Sequence, residues 1–150
     1  RLPGKMLLPF GRESLAHYVM NRCSLLGETV DHVVLLTSEE PTDDQLAELI
    51  SRSGFDVFRG SLNNVLLRYI ECANYYEANT IVRVCGDSPF VDLKMIEKML
   101  DHLDNGFDYV CFGIEGNVAG FDREVMRIES LVKSFNSRKS EDILKWIVKS

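Results

Sequence analysis

The chain has 150 residues, of which 45% are hydrophobic and 27% charged, and its formal net charge is −6. A chain of this length can bury a core as one domain, and its acidic balance argues against nucleic-acid binding, which needs clustered lysine and arginine. No apolar run approaches the roughly 20 residues that cross a bilayer, and the four widely spaced cysteines favour reduced thiols in a cytoplasmic protein.

Segments with helix-like and strand-like hydrophobic periodicity alternate along the chain. Thr42, with Gln45 three residues later, fits a capping box that would begin a helix. Ser61 and Asp92 are expected to cap two further helices. The strand-like segments are residues 31–37, 55–59, 80–85, 107–112 and 123–128, and the other helix-like segments are residues 13–26, 129–135 and 140–148.

This alternation of strands and helices predicts a three-layer α/β/α sandwich with a mostly parallel sheet. Residues 1–150 are expected to form a single domain. In open α/β sheets, ligands bind where the carboxyl ends of the strands meet. Asp87 follows the strand-like segment 80–85 at such an end, so its position favours a functional site.

The segment 83–92 (RVCGDSPFVD) ends a core strand on a carboxylate. One interpretation is a plain turn, since Asp-Ser-Pro is good turn chemistry. The other makes Asp87 an oxygen ligand for Mg²⁺, which prefers one or two carboxylates together with substrate phosphates. In that interpretation Gly86 lets phosphate and metal come close, and Pro89 stiffens the exit. Asp92 is expected to be a helix cap rather than a ligand.

Two other segments offer partners for such a metal–phosphate site. Asp122 follows a glycine-bounded loop and leads into a strand-like run, so it is a candidate second carboxylate, or else part of a solvated acidic loop. Arg1 and Lys5 flank a tight Leu-Pro-Gly turn, and these two cations suit a polyphosphate; the alternative is a plain solvated turn. Walker, Gly-x-Gly-x-x-Gly and Gly-x-Ser-x-Gly motifs are absent from the sequence, which disfavours P-loop, dinucleotide-binding and serine-hydrolase functions.

Taken together and in order, these segments resemble the cytidylyltransferases that make CMP-sugars. The likeness is nearest to the branch of spore coat polysaccharide biosynthesis protein F, which is related to the CMP-sialic acid and CMP-Kdo synthetases. It covers residues 1–128 and rests on the joint order of five motifs, each weak alone. They are RLPGK, FRGSLNNVLLRY, IVRVCGDSPFVD, DYV and GFDREV.

The resemblance implies a nucleotide-diphospho-sugar transferase-like fold in which the chain lacks its first strand and a C-terminal segment. It implies attack of a sugar hydroxyl on the α-phosphate of CTP, with release of pyrophosphate, for polysaccharide synthesis. The residue roles that it implies are triphosphate binding by Arg1 and Lys5, Mg²⁺ binding by Asp87 with Asp122, and a pocket between nucleotide and sugar lined by Arg83 and Ser88. Lys5 and Asp87 would then carry the catalysis.

The chain departs from the family pattern at two places. Leu67 stands where the family usually has an acid, and residues 117–120 replace a Pro-Asp-Gly-like turn. These differences keep open a non-catalytic binding or oligomerisation module. A receiver-like signalling domain is a third alternative, although the acid pair that should follow its first strand is not evident. Tyr75, Tyr76 and Trp146 fit either a homodimer surface or ordinary core packing.

Overall fold

The computed structural model describes residue 2, residues 4–111 and residues 123–137. In this part the helices are α1 (Leu15–Ser24), α2 (Asp44–Arg52), α3 (Val65–Tyr75), α4 (Leu93–Asp104) and α5 (Ile128–Asn136). The strands are β1 (Pro9–Phe10), β2 (Glu13–Ser14), β3 (Val34–Ser38), β4 (Asp56–Gly60), β5 (Thr80–Val84), β6 (Tyr109–Cys111) and β7 (Arg123–Arg127). The predicted α/β class is therefore confirmed. Within these residues no helix is both long and apolar enough to span a membrane.

The described strands pair in both directions. β3 runs parallel to β4, with Val34 opposite Asp56, as the alternation of strands and helices predicts. β7, by contrast, lies between β5 and β6 and is antiparallel to both. The connection 112–122 is shorter than the roughly dozen residues that a parallel crossover needs, so an antiparallel partner is the natural one for β6.

The three-stranded sheet β5–β7–β6 has helices against both of its faces. On one face, α4 packs through Met99 and Leu103 against a row of valines: Val82, Val110 and Val125. On the other, helices α3 and α5 cover Ile81 and Met126. Because successive side chains of a strand point to opposite faces, β5 and β7 each contribute apolar residues to both faces of this sheet.

The pair β3–β4 packs against α1 and α2, where the fully buried Ile50 contacts a cluster that includes Leu35 and Val57. A cavity of about 510 Å³ separates this pair from the other sheet. Val34 and Leu36 of β3, residues 80–82 of β5 and three side chains of α3 line it: Tyr69, Cys72 and Ala73. The strand-end residues singled out in the sequence are not part of its lining.

Two of the three predicted helix caps are wrong. The Asp43 carboxylate accepts hydrogen bonds from Thr37 Oγ1 (2.7 Å) and Ser38 N (3.0 Å), so it ties α2 back to the end of β3 and no capping box forms at Thr42. Burial alone would raise the pKa of Asp43, but the hydrogen bonds from Ser38 and Thr37 and the charge of Arg59 outweigh burial and lower it.

The third helix begins later than its sequence suggests. Ser61 accepts a hydrogen bond from the Asn64 amide (3.0 Å), and Asn64 is itself the cap, accepting one from the Leu67 amide (3.0 Å). Asp92 does cap α4, as predicted, through a 3.3 Å bond from the Met95 amide.

Candidate active site at the end of β5

The end of β5 presents Asp87 on an exposed turn. The Ser88 amide donates to the Cys85 carbonyl oxygen (2.9 Å), and this bond closes the turn. Ser88 itself is buried, whereas the Asp87 side chain is 45% exposed. The Asp87 carboxylate accepts a hydrogen bond from the Lys5 ammonium, and the two groups form an ion pair. Two charged residues that lie 82 positions apart in the sequence therefore meet at one point.

The N-terminal loop reaches this turn through a glycine and a methionine. Gly4 has φ 65° and precedes a 3₁₀ turn, Lys5–Leu7. A residue with a side chain is strained in this left-handed conformation, which is open to glycine. The Met6 side chain then lies against Gly86, where an added Cβ would overlap its terminal methyl. Glycine at position 86 thus lets the loop cross the end of β5 and brings Lys5 to Asp87.

Replacing Gly86 by alanine is expected to displace the loop without unfolding the protein. The backbone at Gly86 is not in the left-handed region, and the overlapping atom ends a flexible side chain, so the cost in unfolding free energy should be about 1 kcal/mol. The same change in a Met6→Ala background should cost close to nothing, because the overlap is gone. Urea denaturation of the two single variants and the double variant measures this coupling; equal costs in both backgrounds would contradict the contact.

A buried ion pair lies below the turn. Arg83 Nη1 donates to Glu124 Oε2 (2.8 Å) and joins β5 to β7, while Arg83 Nη2 lies 3.7 Å from the Cys85 sulfur. The Glu124 and Arg83 side chains are only 8% and 20% exposed. Burial by itself would lower the pKa of Arg83, but Tyr69, Glu124 and Cys85 together raise it, so the guanidinium stays charged.

Glu124 is a residue that the sequence reasoning missed. It lies directly opposite Arg83 in the β5–β7 register, and both side chains point to the face that α3 covers, alongside Tyr69. The available signal was a lone arginine in the apolar run 80–85, which requires a partner when buried. Which acid supplies that partner depends on the strand register, and the sequence does not reveal it.

The structure brings together some of the predicted site residues. Lys5, Gly86 and Asp87 meet at the end of β5, Ser88 closes the turn beneath them, and Arg83 lies deeper, held by Glu124. Arg1 and Asp122 lie outside the described residues, as do Trp146 and the helix predicted at residues 140–148. Among the residues that are described, no group of three or more acidic, histidine or cysteine side chains is placed to hold a metal.

Comparison with known proteins assigns the chain to a family. The sequence model of the cytidylyltransferases matches residues 1–144. The chain belongs to the cytidylyltransferase family. A solved cytidylyltransferase from Leptospira borgpetersenii serovar Hardjo-bovis is 34% identical and superposes with a TM-score of 0.83 over 91% of this chain and 58% of its own.

Two curated relatives each align with this cytidylyltransferase chain over 142 positions. One is the spore coat polysaccharide biosynthesis protein SpsF of Bacillus subtilis, with 34% identity over 87% of this chain and 59% of the relative. The other is the uncharacterized protein MJ1063 of Methanocaldococcus jannaschii, with 30% identity over 94% of this chain and 57% of the relative. The chain thus spans less than two thirds of the length of either protein.

A more distant structure shows the same fold. It is a CMP:2-keto-3-deoxy-manno-octonic acid synthetase complexed with CTP, 16% identical, with a TM-score of 0.71 over 91% of this chain and 72% of that one. The match of the family model over residues 1–144 confirms, at the level of the family, the resemblance found in the motif order.

Proposed function

We propose that the protein is a Mg²⁺-dependent cytidylyltransferase that activates a sugar or sugar acid with CTP. The observation that carries this proposal is the meeting of Lys5 and Asp87 at an exposed strand end in a chain of this family. A solved structure of the same fold is a synthetase complexed with CTP, and SpsF is named for spore coat polysaccharide biosynthesis; both support a nucleotide and a sugar as the substrates.

In the proposed reaction, a sugar hydroxyl oxygen attacks the α-phosphorus of CTP. A new phosphorus–oxygen bond forms, the bond from the α-phosphorus to the bridging oxygen of the β-phosphate breaks, and pyrophosphate leaves as the hydroxyl loses its proton. Such a transfer depends on positioning the two substrates and neutralising phosphate charge more than on a covalent intermediate with the protein. Lys5, with Arg1, would hold the triphosphate, and Gly86 would leave room beside the turn.

The residues at the strand end fit a divalent cation. The Asp87 carboxylate is exposed and already holds a cation, the Lys5 ammonium, so the position favours positive charge. Asp87, with Asp122 as the proposed second ligand, would hold Mg²⁺ by oxygen atoms, as this ion prefers. Bound there, Mg²⁺ would neutralise phosphate charge. Arg83 forms an ion pair with Glu124. Its proposed contribution is therefore to shape the pocket wall together with Ser88.

Nucleotide binding tests the proposal without requiring the sugar. Isothermal titration of the protein with each of the four nucleoside triphosphates, with and without Mg²⁺, should show tightest binding of CTP and a gain in affinity with Mg²⁺. Binding of CTP without turnover on any sugar would support the non-catalytic module instead. If no nucleotide binds, the interpretation of Asp87 as a plain turn residue is favoured instead.

We also propose that β3–β4 and β5–β7–β6 belong to one central sheet of a three-layer sandwich in a single domain. Among the described residues, β3 pairs only with β4 and β5 only with β7, and both strands line the 510 Å³ cavity. A further strand between β3 and β5 would join the two groups of strands into one sheet. Hydrogen exchange is the test: rapid exchange of the β3 amides that point away from β4, in the complete protein, would contradict it.

A further inference from the structure

The Lys5–Asp87 ion pair has a consequence for the order in which ligands bind. Under the proposed function, Asp87 holds a divalent cation and Lys5 holds phosphate. In the structure, however, the two side chains are paired with each other. The ammonium lies against Oδ2 of the Asp87 carboxylate, and its positive charge repels a metal ion that approaches the same carboxylate. Metal binding to this carboxylate therefore competes with Lys5.

The contact can open without movement of the folded core. Lys5 and Asp87 are 44% and 45% exposed, and a lysine ammonium is a compact charge on a flexible four-carbon stem. Lys5 belongs to a short 3₁₀ turn on the N-terminal loop, with no buried residue in it. A rotation of its side chain toward a phosphate is enough to move the Lys5 ammonium off Asp87.

We propose that Lys5 is the resident counter-ion of Asp87, and that the triphosphate draws Lys5 away so that nucleotide and metal enter together. This inference rests on the proposed function and adds regulation of that same site. The lysine keeps the carboxylate neutralised while the site is empty and disfavours a metal ion arriving alone. Once the phosphates bind Lys5, the Asp87 carboxylate and the phosphate oxygens share one divalent cation.

The expected size of the effect follows from the exposure of the pair. Exposed ion pairs contribute little to stability, so Lys5 should weaken binding of a lone metal ion by about two- to fivefold, not by orders of magnitude. The same lysine should strengthen binding of the triphosphate, because a cation near phosphate is favourable. One substitution should therefore shift the two affinities in opposite directions.

Mn²⁺ is a suitable probe, because electron paramagnetic resonance detects the free ion. In nucleotide-free protein, Lys5→Gln should tighten Mn²⁺ binding about two- to fivefold, and it should weaken binding of CTP measured without metal. Lys133→Gln removes the same charge from an exposed position on α5 and should leave both affinities unchanged. Unchanged or weaker Mn²⁺ binding in Lys5→Gln, including no detectable binding, overturns the inference.

Asp87→Asn separates failure of this inference from failure of the proposed site. Loss of Mn²⁺ binding in Asp87→Asn, without any tightening in Lys5→Gln, would leave the site in place and refute only the competition. Mn²⁺ binding that is the same in Asp87→Asn as in the unchanged protein would refute the metal role of Asp87, and the competition with it.

Discussion

Replacing Asp87 by asparagine is expected to slow pyrophosphate release about 100- to 1,000-fold, while leaving the protein folded. Asparagine keeps the shape of the side chain but removes the charge that the proposed metal requires, and losses of this size are usual when electrostatic stabilisation of a transition state is removed. Stability should change by less than about 1 kcal/mol, because the Lys5–Asp87 pair is exposed. Steady-state assays with CTP, together with urea denaturation, measure the two effects.

Asp92→Asn is the matched control for that experiment. It removes the same charge five positions further along the same loop, where Asp92 caps α4. Asparagine caps helices about as well as aspartate, so activity should stay near that of the unchanged protein. Stability should fall moderately, because the Asp92 charge favours the charged form of the buried Arg123 guanidinium. Equal losses in the two variants would show that general charge in this loop, rather than a specific role of Asp87, sets the rate.

Glu124→Ala is expected to be strongly destabilising, costing about 3–5 kcal/mol of unfolding free energy. It leaves the charged Arg83 guanidinium buried between β5 and β7 without its carboxylate. Removing one partner of a buried pair costs far more than removing both. The double variant Arg83→Met, Glu124→Leu should therefore be more stable than Glu124→Ala, as measured by urea denaturation.

An exposed ion pair provides the comparison. Glu48 and Arg52 lie one helical turn apart on α2, and their side chains are 60% and 78% exposed. Glu48→Ala should cost no more than about 0.5 kcal/mol. If Glu124→Ala were as mild as Glu48→Ala, or if the apolar double variant were as unstable as Glu124→Ala, the buried pair would not hold the two strands together.

Strand and helix boundaries are predictable from the sequence where the residues of a single segment determine them. The apolar run 80–85 specifies β5 within one residue, and Asp92 specifies the start of α4. Thr42 and Ser61 mislead because the polar groups around them bind elsewhere: Asp43 binds the end of β3, and Asn64 takes over the cap. Propensity does not encode such competition between neighbouring polar side chains.

Features that join distant segments are less accessible to sequence reasoning. The motif order groups Lys5 with Asp87, and the structure brings them into contact, but the direct ion pair was not predicted. The direction of β7 and its register against β5 decide that Glu124 meets Arg83. Strand pairing depends on contacts across the whole sheet, so neither could be predicted from the local pattern of residues 123–127.

Pyrophosphate release by the protein, measured with Mg²⁺, each of the four nucleoside triphosphates and a panel of sugar acids and aldoses, tests the central claim most directly. The account predicts release with CTP and one member of the panel, a requirement for Mg²⁺, and loss of release in Asp87→Asn. No release with any pair of substrates, together with no Mg²⁺-dependent binding of CTP, would contradict it.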